Sequence, residues 1–304
     1  MANTIGVALG SGAARGICHI GILNQLANLD IRPTVVCGTS VGALVGAAYA
    51  TGHLQSLTEW FSDQSTTTLI RHLDLNFFSS GGIADGEAFI HFLKTKYGDY
   101  QIEDLPIPFA AIACDMQSGR EVWITEGSIW DAVRASAAYP GLLTPVQRNG
   151  QWLVDGGIVN PVPVSVCRAL GASHVIAVNL NRDLTNPQPK SKNTTKQVTT
   201  SANKSMTFIS KVSSQLKQTL NDRLPIQRRT KDGAPGILDV ISGTINIMQD
   251  RITRSRLAGD PPEVMLAPNV ANVGFLETER SAELIAEGAN CVTRNQEQLS
   301  TLKQ

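Results

Sequence analysis

An α/β fold built around a mostly parallel sheet is the architecture expected for this chain, on three observations. Thr4–Leu9 is a short apolar run that ends at a glycine, which reads as a buried strand. A small-residue loop, Gly10–Gly16, then gives way to Ile17, Ile20, Leu23, Leu26 and Leu29, apolar residues at helical spacing. The pattern repeats at once, with Pro33–Cys37 as a second strand, a tight turn, and Val41–Ala50 rich in small and apolar helix-compatible residues. Strand–loop–helix followed by strand–turn–helix implies parallel strands.

Further along, strands are expected at Phe109–Cys114, Glu121–Ile124, Trp152–Val154, His174–Val178 and Glu263–Leu266. Helices are expected at Gly86–Lys96, Ile129–Ala137, Val162–Leu170, Ile237–Leu257 and Glu277–Leu302. Residues 181–235 are rich in Thr, Ser, Asn, Gln and Lys, and read as a polar, mobile insertion in a single domain covering residues 1–304, followed by a helix-and-strand extension at 237–302. Within the insertion, Phe208, Ile209, Val212, Leu216 and Leu220 share one helical face, with Lys204 and Lys211 beyond its edge. Phe208–Leu220 reads either as a helix packed on the domain or as an interfacial helix or lid that admits lipid to the site and makes peripheral membrane contact.

Composition narrows the partners. The chain has 304 residues, 42% of them hydrophobic, enough for one large domain or two small ones. Lys+Arg and Asp+Glu both number 26, so no global attraction to nucleic acid or to an anionic membrane is expected. The five cysteines lie in apolar surroundings without a CxxC pair or metal-ligand spacing, as in a reducing compartment. The N-terminus lacks the pattern of a secretory signal, and no run is apolar enough to span a bilayer, so a cytoplasmic location is expected, with any lipid contact peripheral.

The turn Gly38-Thr39-Ser40-Val41-Gly42 matches the G-x-S-x-G nucleophile elbow, between a strand and a helix as that chemistry requires. A serine hydroxyl must stand exposed in a strained turn, and Gly38 and Gly42 keep strand and helix from colliding around it. The helix that follows aims its N-terminus at the site and favours developing negative charge. The loop Gly10-Ser11-Gly12-Ala13-Ala14-Arg15-Gly16 has two readings. A dinucleotide site needs G-x-G-x-x-G and an acidic residue ending the second strand; the spacing here is G-x-G-x-x-x-G, and Cys37-Gly38-Thr39 fills that strand end. The other reading is an oxyanion hole, with Gly12 and Ala13 as backbone donors and Arg15 either holding the loop or attracting phosphate.

A base for Ser40 is harder to find. Among His19, His53, His72, His91 and His174, only His174 follows Asp155 in chain order, and it begins a strand, the wrong edge for a parallel-sheet site. His19 lies within the first helix, packed near the sheet. Asp155-Gly156-Gly157 follows the strand-like Trp-Leu-Val and turns sharply, which brings a carboxylate to a strand end. Burial or alignment can make such a carboxylate basic enough to take the serine proton directly.

The order of glycine-rich loop, G-T-S-x-G and D-G-G resembles the patatin-like phospholipases, in particular bacterial members related to the catalytic domain of neuropathy target esterase. The match runs from about Ile5 to about Val178 and resumes more weakly over Met248–Ala289. Ala113–Gly119 is similar to the family's A-T-D-x-x-T-G stretch. Arg134-Ala135-Ser136, Pro140-Gly141 and Pro145-Val146 fit its R-A-S-x-x-x-P-G-x-x-x-P-V run, and Asn160-Pro161-Val162-Pro163 follows the aspartate. The resemblance implies a three-layer α/β/α fold with a mixed sheet, and acyl-ester hydrolysis of phospholipids, lysophospholipids or related lipids. Carried over by position, it makes Ser40 the nucleophile and Asp155 the proton acceptor, with Gly12, Ala13 and Arg15 in the oxyanion motif. Ser11 and Ala13 depart from the family's G-G-G-x-[KR]-G; Ser11 keeps its N–H, and Ala13 can donate provided φ there is not positive.

The reaction so implied runs through an acyl-enzyme and needs neither metal nor organic cofactor. A different class of reading is a low-turnover lipid-sensing or adaptor protein that retains the hydrolase fold, with Ser11 and Ala13 as its only sequence hints.

Overall fold

The computed structural model describes residues 4–63, 82, 84–182 and 237–303. The elements in chain order are β1 (Ile5–Leu9), α1 (Cys18–Asn28), β2 (Val35–Thr39), α2 (Val41–Ala50), α3 (Leu54–Asp63), α4 (Glu87–Tyr97), β3 (Phe109–Asp115), β4 (Glu121–Ile124), α5 (Ile129–Ser136), β5 (Val146–Arg148), β6 (Gln151–Asp155), α6 (Val164–Ala169), β7 (His174–Val178), α7 (Ile237–Gly259), β8 (Val264–Leu266), α8 (Ser281–Arg294) and α9 (Gln296–Ser300). The insertion at 181–235, with Phe208–Leu220, lies almost wholly outside the described residues, as does His72.

All eight strands form one mixed sheet in the order β5-β6-β3-β2-β1-β7-β8, with β4 also paired to β3. From β3 to β8 the sheet is parallel, while β4, β5 and β6 add antiparallel pairs. The register around β3 positions the site. Ala113 and Cys114 pair with both β4 and β6, so those strands hold opposite edges of β3. Ala111 and Ile112 pair with both β4 and β2, so these too lie on opposite edges. Strands β2 and β6 therefore share one edge of β3 and meet end to end, Thr39 opposite Ile112 and Asp155 opposite Ala113.

Side-chain alternation along the strands divides the core in two. Val7, Leu9, Val36, Phe109 and Ile176 face the larger cluster, packed with side chains from α1 to α5, α8 and α9. Ala8, Val35, Cys37, Ala110 and Ile112 face α6 and Leu257 of α7. This is the expected α/β/α arrangement with unequal outer layers.

Several boundaries differ from expectation. The second strand runs Val35–Thr39 rather than Pro33–Cys37: Pro33 has no N–H for a ladder, and Gly38 and Thr39 pair with Leu9 and Ile112, so the strand runs up to the serine. The closing helix expected over Glu277–Leu302 is broken into a 3-10 turn at Thr278–Arg280, α8, α9 and a final 3-10 turn. The break falls at Asn295, whose side-chain amide donates to the Cys291 carbonyl at 2.7 Å, bonding the end of the preceding turn. The 3-10 turn at Ala13–Ile17 tightens the entry to α1. Two elements were not expected, α3 and β5. The latter is joined to β6 by Asn149-Gly150, φ 48° and 79°, a hairpin signal present in the sequence.

Candidate active site

Ser40 stands between β2 and α2 with φ 58° and ψ −123°, a conformation that costs a non-glycine residue of the order of 1–3 kcal/mol. The surroundings hold it there. The Ser40 N–H donates to Ser136 Oγ at 2.9 Å, and the Ser136 hydroxyl donates to the Ile112 carbonyl at 2.6 Å. Ser136 is fully buried, so it bridges the turn to β3 where β2 and β6 meet. The flanking glycines are required by close approach. A Cβ on Gly42 would strike the Leu9 carbonyl, and one on Gly38 the Gly42 backbone.

Asp155 ends β6 and is 1% exposed. Its Oδ1 accepts a 2.7 Å hydrogen bond from the Gly157 N–H. Burial pushes the carboxyl up from 3.8 to about 6; hydrogen bonding from the Ser40 side chain and the Gly157 amide offsets part of that rise. Oδ2 has no partner at full hydrogen-bond geometry, so the Ser40 interaction is looser than a formed bond, as in many unliganded active sites. Gly156 and Gly157 let the turn close: a Cβ on the first would meet the Ile112 carbonyl, and one on the second the Gln249 amide, Asp155 Oδ1 and Ser11 Oγ.

Hydrogen bonds to backbone carbonyls join the three segments. Thr39 Oγ1 donates to the Asn160 carbonyl at 2.8 Å, tying the serine strand to the loop after Asp155. The Ser11 N–H donates to the Pro161 carbonyl at 2.9 Å, and the Gly10 N–H to the Val178 carbonyl at 3.2 Å. Gly16 packs against Val41, where any side chain would collide. The Gly12 and Ala13 amides have no acceptor among the described residues, and Ala13 lines the same cavity as Ser40. The condition set on Ala13 is not met: its φ is 51°, a strained value for alanine, yet its N–H remains free to donate.

Arg15 is buried without a carboxylate partner among the described residues. Its Nε donates to the Gly12 carbonyl at 3.1 Å and its Nη2 to Asn246 Oδ1 at 3.3 Å, so it holds the loop and ties it to α7. Desolvation lowers its pKa to about 10. His19 is fully buried, held down to about 4 by burial, and its Nε2 donates to the Gly10 carbonyl at 2.8 Å. It supports the glycine loop rather than facing the serine. His174 begins β7, at the far end from the turns. Asp115, in the stretch similar to A-T-D-x-x-T-G, accepts from Ser118 Oγ at 2.6 Å and from the Gln117 N–H at 3.1 Å, pinning the β3–β4 turn.

An apolar cavity of about 950 Å³, counting its open mouth, starts at Ser40. Leu44, Phe61, Phe89, Ile90, Leu143 and Phe275 are among its walls. Tyr139 is another wall residue, with its ring 4.6 Å from that of Phe275. These wall residues, and Asn246 and Gln249 of α7, are site components that motif spacing does not reveal; Ser136 lies in the R-A-S motif, which marks its position but not its role under the serine amide. Among the described residues, no three His, Cys, Asp or Glu side chains gather as a metal site, and no helix is long and apolar enough to cross a membrane.

A strained serine turn facing an apolar cavity, on a mixed sheet between helices, is an arrangement suited to a lipid ester hydrolase of the α/β class. The chain belongs to the patatin-like phospholipase family, whose pattern it matches over residues 7–168. It is 30% identical over 328 aligned residues to an uncharacterised NTE family protein of Mycobacterium bovis, covering 95% of this chain and 90% of that one. It is 36% identical over 195 residues to neuropathy target esterase of Drosophila melanogaster, covering 60% of this chain and 14% of that protein. It is also 36% identical over 185 residues to the human patatin-like phospholipase domain-containing protein 6, covering 59% and 13%. Among solved structures, VipD from Legionella pneumophila aligns over 97% of this chain and 77% of its own with a TM-score of 0.45 and 13% identity.

Proposed function

We propose that the protein hydrolyses acyl esters of phospholipids or lysophospholipids through a Ser40–Asp155 dyad. The observation that carries this reading is the end-to-end meeting of β2 and β6 on one edge of β3, which makes Thr39 and Asp155 neighbours in register. Asp155, with its carboxyl raised to about 6 and Oδ2 open, takes the proton as Ser40 Oγ attacks the ester carbonyl. The oxyanion forms against the Gly12 and Ala13 amides, which need no reorganisation to receive it. The alcohol or lysolipid leaves with the proton from Asp155. Water then attacks the acyl-enzyme, with the same carboxylate as base, and Ser40 is released. The acyl chain occupies the apolar cavity.

Ser40→Ala is expected to abolish hydrolysis across a panel of diacyl, monoacyl and short-chain esters while the protein stays folded. A fluorophosphonate is expected to label Ser40 in the native protein alone. A folded sample that neither hydrolyses esters nor takes the label sinks the proposal. The low-turnover lipid-binding reading draws on the strain at Ala13; lipid binding with no turnover of a chromogenic ester would favour it.

A further inference from the structure

Helix α7 has two faces with different tasks. Its inner face lies across the site. The Ile241 side chain packs over Gly141, Ser242 approaches the Tyr139 hydroxyl, Ile245 is buried, Asn246 accepts from Arg15, and Gln249 packs on Gly157 and bonds Asn181. At about 100° per residue the outer face is a single stripe: Val240, Thr244, Ile247, Met248, Arg251 and Arg254. Every one of these is exposed. Val240 is 50% exposed, Ile247 57% and Met248 44%, large apolar side chains left in water beside the wall of an apolar cavity. The next turns of the same stripe carry Arg251 and Arg254; Arg254 pairs with Asp250 at 3.0 Å, yet its side chain is still 58% exposed.

We propose that this stripe docks the protein on a phospholipid bilayer containing anionic lipid. Val240, Ile247 and Met248 enter the boundary between headgroups and acyl chains, and Arg251 and Arg254 meet the lipid phosphates. The apolar and basic turns lie in sequence along one helix, over about 20 Å from Val240 to Arg254. That order fits a helix whose apolar end dips roughly 5–10 Å into the interface. The chain carries no net charge, so the attraction is local to this helix. The occupant is a bilayer because the chain belongs to a lipid ester hydrolase family and the inner face of α7 packs on Tyr139, a wall residue of the cavity. Docking there holds the helix that packs on a cavity-wall residue against the source of acyl chains. The inference rests on the hydrolase reading and specifies where that site meets its substrate.

The test uses the full chain carrying Ser40→Ala, so that binding is read without turnover. It is sedimented with vesicles of phosphatidylcholine, with and without phosphatidylglycerol. Adding Ile247→Asp and Met248→Asp is expected to lower the bound fraction about tenfold or more. Adding Arg251→Glu instead is expected to weaken binding to the phosphatidylglycerol vesicles selectively. Trp152→Ser, which removes an exposed aromatic from strand β6, outside the stripe, is expected to leave binding unchanged. With Ser40 restored, the Asp pair should still cleave a soluble short-chain ester at the wild-type rate and lose cleavage of vesicle lipid. Unchanged vesicle binding by the Asp pair overturns the proposal. So does a fall in oligomeric mass with vesicle binding intact, which would assign the stripe to a second copy, or a loss of binding in Trp152→Ser. Stripe-dependent binding by a protein without esterase activity would leave docking standing and remove the hydrolase reading instead.

Discussion

Asp155 carries a cost that its proposed role explains. Its carboxyl is raised from 3.8 to about 6 by burial. Between those values the folded chain keeps a proton that the unfolded chain has released. The contribution of this group to stability therefore falls as pH rises through that window and stays lost above about 6. Asp155→Asn keeps the acceptor for the Gly157 N–H and removes the buried charge. Its expected melting temperature lies above wild type at pH near 8, by the equivalent of about 2–3 kcal/mol, and the gap closes toward pH near 4. The same substitution is expected to lower kcat/KM by about 10²–10⁴, and the wild-type profile should fall on the acid side with a midpoint near 6. A melting gap that widens toward acid pH would contradict this account. Ser136→Ala leaves both the buried Ser40 N–H and the Ile112 carbonyl without their shared partner, at an expected cost of about 1–3 kcal/mol in denaturant unfolding. Its kcat should fall more than its KM rises, since the turn loosens while the cavity wall is untouched. Substituting His19 should cost stability through the Gly10 carbonyl yet leave measurable esterase activity, unlike loss of a general base.

At the level of elements, the site depends on close approach between backbones. Helix α2 sits on β1 because residue 42 is a glycine; Gly42→Ala places a methyl against the Leu9 carbonyl and lifts the start of the helix. The expected result is a loss of about 1–3 kcal/mol together with loss of fluorophosphonate labelling, because the Ser40 turn moves with the helix. Ala13→Gly works in the opposite sense. It relieves the alanine held at φ 51° and adds chain entropy to the unfolded state, so stability should shift by less than about 1 kcal/mol, with activity retained. A large activity loss in Ala13→Gly would show that the alanine methyl on the cavity wall is itself needed.

Across the whole molecule, the segments after the family-matched residues 7–168 are joined to the same core. Strand β8 extends the sheet from β7. Helix α8 crosses α1 at Gly21 and Gly288, where a Cβ on either residue would strike the partner helix's carbonyl. We predict that Gly288→Leu forces these helices apart and lowers stability by several kcal/mol, of the order of the larger core lesions. Calorimetry should show wild type melting in a single transition. Separate melting of residues beyond 260 would show that this extension is a unit of its own.

Much of this was legible in the chain because it rests on local order. The strand–loop–helix repeat, the G-T-S-x-G turn and the D-G-G turn are each confined to a few adjacent residues. Apolar periodicity and glycine placement report directly on such short-range geometry. The parallel core, the elbow at Ser40 and the candidacy of Asp155 were therefore readable before any fold was known. The pairing itself was not. The meeting of Ser40 and Asp155 depends on an antiparallel strand entering the edge of β3 where β2 stops, and register between distant strands leaves no local signature. Ser136 under the serine amide, the positive φ of Ala13, the cavity walls drawn from α2 to α5 and Phe275, and the two faces of α7 likewise arise from packing between segments far apart in sequence. Short-range pattern determines which residues turn, cap and alternate; only the tertiary contacts decide which of them meet, because those contacts join residues whose spacing along the chain carries no period.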